Sequence, residues 1–410
     1  MGHPSFTFKQ WHSSETLSTA TLTGVTQDSQ TPVVVVGGGL AGSRTCTELR
    51  TLGYSGSIVL IGDEPSLPYD RPPLSKAVIR GKRDSKPLKV RYEELGIDVQ
   101  LGVVAESLEL GSRRVLTSAG PVEFSHLVIA TGASPVRLPG DGEQLVLRTD
   151  VEAAALRDRL VPGAHVVVIW ASWIGAEVAH AALERGCRVT GVEYHTAPLA
   201  QSLGSELGSR FASWWDGAEL RIGQSVTAVE PDGVHLAGGE VIAADVVVTG
   251  VGVRPATGWL AGSGLELLPA LAVDEHLRAD GQTGVYALGD VAAWWSRRYG
   301  RRLNVQHWDD AYTAPTVVAH GIINGSGAEL VHDPVSYFWS DQFGHRVEYV
   351  GHHDPADTVT IDEDAESGWT AQWHDAAGEL TAALAVDQPK YVAAVRAELL
   401  VRADAPLTRR

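Results

Sequence analysis

The chain has 410 residues, 44% of them hydrophobic and 20% charged, a length that calls for two or three cores and a composition typical of a globular protein. Its formal net charge of −17 argues against nucleic acid as a partner, since phosphate binding needs an extended basic face. No apolar run is long enough to cross a bilayer and no basic-then-apolar leader precedes the first strand, so the sequence points to a cytoplasmic protein away from membranes.

Residues 1–30, rich in Ser, Thr and Gln, read as a flexible extension. Order is expected from Thr31, where Val33-Val34-Val35-Val36 has the β-branched character of a buried parallel strand. It leads into Gly37-Gly38-Gly39-Leu40-Ala41-Gly42, then a helix from Leu40 to about Leu52 closed by Gly53, then a second strand at 57–61 ending at Asp63-Glu64. Strand, glycine turn, helix, strand and terminal acid together form a dinucleotide fingerprint. Gly37 permits the tight turn, Gly39 lets the backbone approach a pyrophosphate, Gly42 allows helix and strand to pack closely, and Asp63 or Glu64 takes ribose hydroxyls. Leu67-Pro68-Tyr69-Asp70-Arg71-Pro72-Pro73-Leu74-Ser75-Lys76 follows, and its three prolines predict an extended loop that sets Arg71 and Lys76 beside the dinucleotide.

This last stretch resembles the flavin-side motif of the FAD-dependent ferredoxin and rubredoxin reductases that serve oxygenases, whose fold group includes apoptosis-inducing factor. The resemblance continues through Val128-Ile129-Ala130-Thr131-Gly132-Ala133, Thr249 to Pro255, Val285 to Ala292, His307-Trp308 and Phe338 to Gln342, covering roughly residues 31 to 390. It implies an α/β fold with two Rossmann-like dinucleotide-binding domains and a C-terminal α+β domain. The implied layout is an FAD-binding domain at 31–143 and 255–328, a nicotinamide-type domain at 144–254 and a C-terminal domain at 329–410. It further implies that Ala130, Thr131, Gly132 and Gly289 border bound FAD, that Asp290 bonds its ribityl chain, and that His307, Trp308 and Trp339 surround its isoalloxazine ring. Glu177 matches a glutamate that, in the family, faces the flavin and pairs with the lysine found here as Lys76. Such a pair holds both groups ionised and can tune hydride or proton transfer; stabilisation of a helix N-terminus by an acid is the simpler alternative.

Between these motifs lies a second fingerprint whose scaffold is complete and whose turn is not. Val166–Ile169 reads as a buried strand, a helix runs from Ile174 to Arg185, and the strand from Arg188 finishes at Glu193. The turn, where family members usually carry Gly-Gly-Gly-Phe-Ile-Gly, reads Trp170-Ala171-Ser172-Trp173-Ile174-Gly175. A tryptophan at the first glycine and a serine at the second oppose both the tight turn and the close approach of a pyrophosphate. Three readings follow: Trp170, Ser172 and Trp173 line or plug a former nicotinamide site; the cofactor enters by a displaced route with Glu193 on a ribose; or the change is only one of packing.

Arg297-Arg298-Tyr299-Gly300-Arg301-Arg302 is a basic cluster that reads either as a docking patch for an acidic ferredoxin or as a solvated hairpin. Ala314-Pro315 stands where the family commonly has Gln-Gly and suggests an altered pocket near the flavin. His352-His353 reads as a surface pair, and the histidines show no metal spacing. The two cysteines, Cys46 and Cys187, are far apart, which argues against a dithiol centre, an iron–sulfur cluster and structural zinc. Together these readings give an FAD-dependent oxidoreductase with NAD(P)H use doubtful, acting on a small, fairly apolar organic substrate, with ferredoxin not favoured as partner. An NAD(P)H-dependent ferredoxin or rubredoxin reductase, and a redox-neutral or non-catalytic flavoprotein, stay open as alternatives.

Overall fold

The computed structural model describes residues 31–325, 330–364 and 368–403; the expected N-terminal extension lies outside them. Val33–Val36 is almost wholly buried and takes the centre of a five-stranded parallel sheet in the order Val285–Ala287, His126–Ile129, Val33–Val36, Ile58–Gly62, Ile97–Leu101. Strands connected in opposite directions from a central strand leave a crevice at their carboxyl ends, the usual ligand position in open α/β sheets. The helix Leu40–Thr51 starts there and ends, as expected, before Gly53 at φ +88°.

A four-stranded parallel sheet repeats the plan in the order Glu219–Ile222, Arg188–Glu193, His165–Ile169, Val246–Thr249. Two short antiparallel strands, Ala133–Pro135 and Val253–Pro255, carry the chain out of the first sheet and back. The third unit is an antiparallel sheet of Tyr337–Gln342, His345–Gly351, Leu380–Val386, Gly368–His374 and Thr358–Asp364, backed by the helix Pro389–Ala403. The fold is therefore α/β with two Rossmann-like sheets and a C-terminal α+β unit.

Three local expectations are corrected. The proline-rich loop is not simply extended: Leu74–Val78 closes a π-helical turn, with the Val78 amide donating to the Pro73 carbonyl at 3.0 Å. Ala314 and Pro315 lie inside the helix Trp308–Asn324, buried in its packing face, and do not themselves line the cleft described below. Finally, the arginine cluster is not a free basic patch: Arg297, Arg301 and Arg302 pair with Glu275, Asp354 and Asp280, while the Arg298 guanidinium donates to the Leu399 and Asp333 carbonyls.

The glycines of the first turn are needed for different reasons. A Cβ on Gly37, whose φ is +124°, would lie 2.1 Å from the Ala130 carbonyl oxygen, and one on Gly42 would lie 2.0 Å from that of Gly37. A Cβ on Gly39 would meet no protein atom within 4 Å. Gly37→Ala and Gly42→Ala should therefore lower the melting temperature of the protein itself, whereas Gly39→Ala should leave the FAD-free protein's melting temperature unchanged while its FAD occupancy falls; thermal melts with and without added FAD check this.

Candidate active site

The carboxyl ends of both parallel sheets open into one continuous cleft of about 1380 Å³, above the roughly 300–1,000 Å³ typical of a site for one small ligand. Gly37, Gly39, Leu40, Ala41, Asp63, Glu64, Arg71, Lys76, Ala130, Thr131, Gly132, Gly289, Asp290, His307, Trp308 and Trp339 all line it, and so do Trp170, Ser172, Trp173 and Glu177. Gly42 is set behind the turn, against Gly37 and Val35.

In the first half, Gly39 begins its helix without a side-chain cap, so the helix N-terminus is left to an anion. Two cations stand nearby in ion pairs: Arg71 with Glu64 and Arg148 with Asp290, each at 2.7 Å. Glu64 also accepts from the Tyr69 hydroxyl, and Arg71 donates to the Arg148 carbonyl at 2.6 Å. Arg148 carries no motif and was missed from sequence; it reaches the cleft because the capping box Thr149–Glu152 starts a helix immediately after it. The Thr131 hydroxyl donates to the Ala256 carbonyl at 3.0 Å and ties the two crossovers together. Near the C-terminal sheet, Trp308 donates from Nε1 to Asp70 at 2.7 Å and meets Trp339 edge to face at 6.0 Å between centroids. His307 keeps a buried Nδ1 without a partner, and burial lowers its pKa. An uncapped turn, an orphaned buried nitrogen and a wall of aromatic rings fit the FAD that the sequence implies.

The second half is built differently. Trp170 holds the position of the first glycine at φ +75°, a left-handed conformation that costs a bulky residue about 1–2 kcal/mol. The turn still closes: Trp170 N donates to the Val192 carbonyl at 2.7 Å, and a Cβ on Gly175 would lie 2.1 Å from the Trp170 oxygen. Ser172 is the N-cap of the helix Trp173–Glu184, its Oγ accepting from Gly175 N at 3.2 Å and donating to the Gly250 carbonyl at 3.0 Å. The side chain thus occupies a helix terminus that at the first turn stays open. Glu193 is buried, and its two oxygens accept from Ala171 N at 3.0 Å and His195 N at 2.8 Å. That commitment weighs against the displaced route with Glu193 on a ribose. Trp173 is only partly a cleft residue, because it also packs edge to face on Phe338 at 4.8 Å and on Phe211 at 6.4 Å, joining the second Rossmann unit to the C-terminal sheet.

Lys76 and Glu177 meet at the junction, Nζ to Oε1 at 2.9 Å. Glu177 is 1% exposed and also accepts from Ser75 Oγ, from Ser340 Oγ at 2.6 Å and from Asp341 N at 3.1 Å. The reading of Glu177 as a simple helix-terminus acid therefore does not describe it.

His352 and His353, expected on the surface, line the cleft instead. Burial drives the His352 pKa down to about 4, with the Arg301 charge adding to the effect, and burial also lowers that of His353. The His353 Nδ1 shares a 2.7 Å hydrogen bond with the Tyr349 hydroxyl, whose pKa burial raises strongly. Only the pairing of the C-terminal strands turns these rings inward. Among the described residues no cluster of three or more His, Cys, Asp or Glu is placed to hold a metal ion, and no helix is long and apolar enough to cross a membrane.

Comparison with known proteins agrees with this architecture. Residues 31–314 match the family described as pyridine nucleotide-disulphide oxidoreductase, and residues 337–409 match the reductase C-terminal family. The chain is similar to rhodocoxin reductase of Rhodococcus erythropolis, 33% identical over 82% of either chain. It is also similar to the ferredoxin–NAD(+) reductase component of the biphenyl dioxygenase system of Paraburkholderia xenovorans, 31% identical over 82% of this chain and 85% of the relative. Among solved structures, that of Fdr9 superposes with a TM-score of 0.88 at 50% identity, covering 90% of this chain and 95% of the other.

Two outcomes follow from these contacts. Glu177→Ala strands an ammonium and two hydroxyls, so the protein should lose roughly 3–5 kcal/mol of stability in urea titration, the usual consequence of breaking a buried pair from one side. His352, His353 and His307 bind protons more weakly folded than unfolded, so their contribution is complete above the ordinary histidine pKa of 6.5 and is lost as pH falls toward about 4. Urea midpoints should drop between pH 7 and about 4.5, and less steeply in His352→Gln.

Proposed function

The chain belongs to the pyridine nucleotide-disulphide oxidoreductase family and is an FAD-dependent oxidoreductase, and from that premise we propose that its second dinucleotide site has been replaced. In this reading NAD(P)H does not bind in the family manner, and a small, fairly apolar organic molecule lies over the flavin. The observation that carries it is the second turn itself, where the Trp170 indole and the Ser172 hydroxyl stand at two glycine positions and the hydroxyl caps the helix from within the chain.

Gly37 and Gly39 would hold the FAD pyrophosphate against the uncapped helix, with Leu40 and Ala41 supplying the first helical amides and Gly42 behind them letting helix and strand pack closely. Asp63 or Glu64 would take ribose hydroxyls, with Glu64 held by Arg71 and Tyr69, Asp290 would bond the ribityl chain, and Ala130, Thr131, Gly132 and Gly289 would form the floor. His307, Trp308 and Trp339 enclose the ring. Bound FAD supplies a two-electron acceptor for the substrate. Lys76, fixed by Glu177 at 2.9 Å, keeps a positive charge at the junction of the two halves and sets the local proton affinity. We assign 31–143 and 255–328 to the FAD domain, 144–254 to the altered domain and 329–410 to the C-terminal one.

A second reading has its own support: relatives matching most of the chain are named ferredoxin–NAD(+) reductase or rubredoxin–NAD(+) reductase, which favours NADH as donor and a small iron protein as partner. Anaerobic titration separates the two. With the site replaced, neither NADH nor NADPH bleaches the visible flavin band within minutes, while Trp170→Gly/Ser172→Gly, which restores both glycines, gains NADH-dependent bleaching. Rapid bleaching of the unaltered protein would establish the second reading.

A further inference from the structure

Charge in the cleft is segregated. Arg71 and Arg148 lie with the first turn, Arg137 sits at the crossover and donates to the Gln144 carbonyl, and Arg301 is paired with Asp354. Around the second turn the lining comes from residues 170–177, 193–203 and 248–253, and none of these is a lysine or arginine. The acids among them, Glu177 and Glu193, are 1% and 3% exposed and spend their oxygens on protein donors. Lys76, at the border, belongs to Glu177. A charged ligand seated on these segments would meet no lysine or arginine of theirs, and desolvating an ion without a counter-charge is unfavourable; Arg137, which bonds the Gln144 carbonyl and no acid among the described residues, is the cation at the crossover beside them.

What the second half does offer is flat apolar surface. The Trp170 ring stands 6.2 Å from that of His195 at an interplanar angle of 44°, and Trp173 stands 4.8 Å from Phe338. Ile174, Leu199 and Leu203 complete the wall. Aromatic faces prefer offset-stacked or edge-to-face neighbours, and such pairs add to the gain from buried area. The positive φ of Trp170 fixes this surface, because it sets the indole where a glycine would present bare backbone.

We propose that the half of the cleft facing the second turn is a binding site for an uncharged, planar aromatic molecule, with Trp170 as the residue that determines this specificity. The proposal rests on the reading that the second turn no longer receives a dinucleotide, and it narrows the substrate to a chemical class. It is tested with oxidised, FAD-loaded protein at pH 8, following the flavin absorption band during titration with 2-naphthol, its anionic counterpart 2-naphthoate and its saturated counterpart decahydro-2-naphthol.

The expected result is a saturable spectral shift with 2-naphthol at a Kd at least tenfold below those of the other two probes. Trp170→Gly, which suits the local backbone and so preserves folding and the flavin band, should weaken 2-naphthol at least tenfold. Equal or tighter binding of 2-naphthoate, equal binding of decahydro-2-naphthol, no saturable shift with 2-naphthol, or an unchanged Kd in Trp170→Gly would each overturn the proposal. None of these titrations uses a nicotinamide, so bleaching by NADH in a parallel anaerobic cell would overturn the reading of the turn and leave the probe result separately legible.

Discussion

One buried carboxylate holds the working surface together. Glu177 receives Ser75 and Lys76 from the loop after the first Rossmann unit's second strand, and Ser340 and Asp341 from the C-terminal sheet, while itself belonging to the helix of the second unit. The same segments also share apolar cores, Leu74, Val78 and Ile79 packing with Val166, Val168 and Val178 of the second unit, and Leu203 and Phe211 of that unit packing with Val347 and Tyr349 of the C-terminal sheet, so the directional bonds to Glu177 fix the register of a junction that apolar packing already holds. A carboxylate this buried is tolerated only because its oxygens are satisfied. The same contact fixes an ammonium at the boundary of the two halves of the cleft, so interdomain geometry and site electrostatics are set together.

The two Rossmann turns are an internal comparison made by the chain itself. Both follow a fully buried β-branched strand, both start a helix of 12 residues, and both depend on a last glycine whose Cβ would strike the turn's first carbonyl. They differ in who satisfies the helix terminus. At Gly39 the chain supplies no side chain, and at Ser172 it supplies a hydroxyl bonded to Gly175 and Gly250. A terminus already capped has less to offer an anion, and the Trp170 indole adds volume where the first turn leaves space. The backbone strain at Trp170 is held by closure of the turn on both sides, at Val192 and Gly175.

The remaining wall belongs to the C-terminal sheet. It brings Phe338, Trp339, Tyr349, His352 and His353 to the cleft on two adjacent antiparallel strands and the turn after them. With their pKa values lowered by burial, His352 and His353 are uncharged near neutrality, so this side of the cleft also lacks a free positive charge. Three arginines of the nearby hairpin, Arg297, Arg301 and Arg302, are held in ion pairs and the fourth, Arg298, bonds backbone carbonyls, which accounts for a basic stretch of sequence that leaves little free basic surface.

The sequence by itself determined the parallel sheets, both turns, the family and the substitution of Trp170 and Ser172 for glycine, because each is written in contiguous residues whose period or spacing is local. Helix ends were legible to within a residue for the same reason, before Gly53 and at Arg185. What only the tertiary structure decided were contacts between residues far apart in the chain: Arg148 on Asp290, Ser340 on Glu177, Glu193 tied to its own turn, and the inward-facing His352 and His353. No local pattern encodes which strands pair or which helix closes over them, so the burial of a given histidine, or the partner of a given arginine, is fixed only once the three sheets have come together.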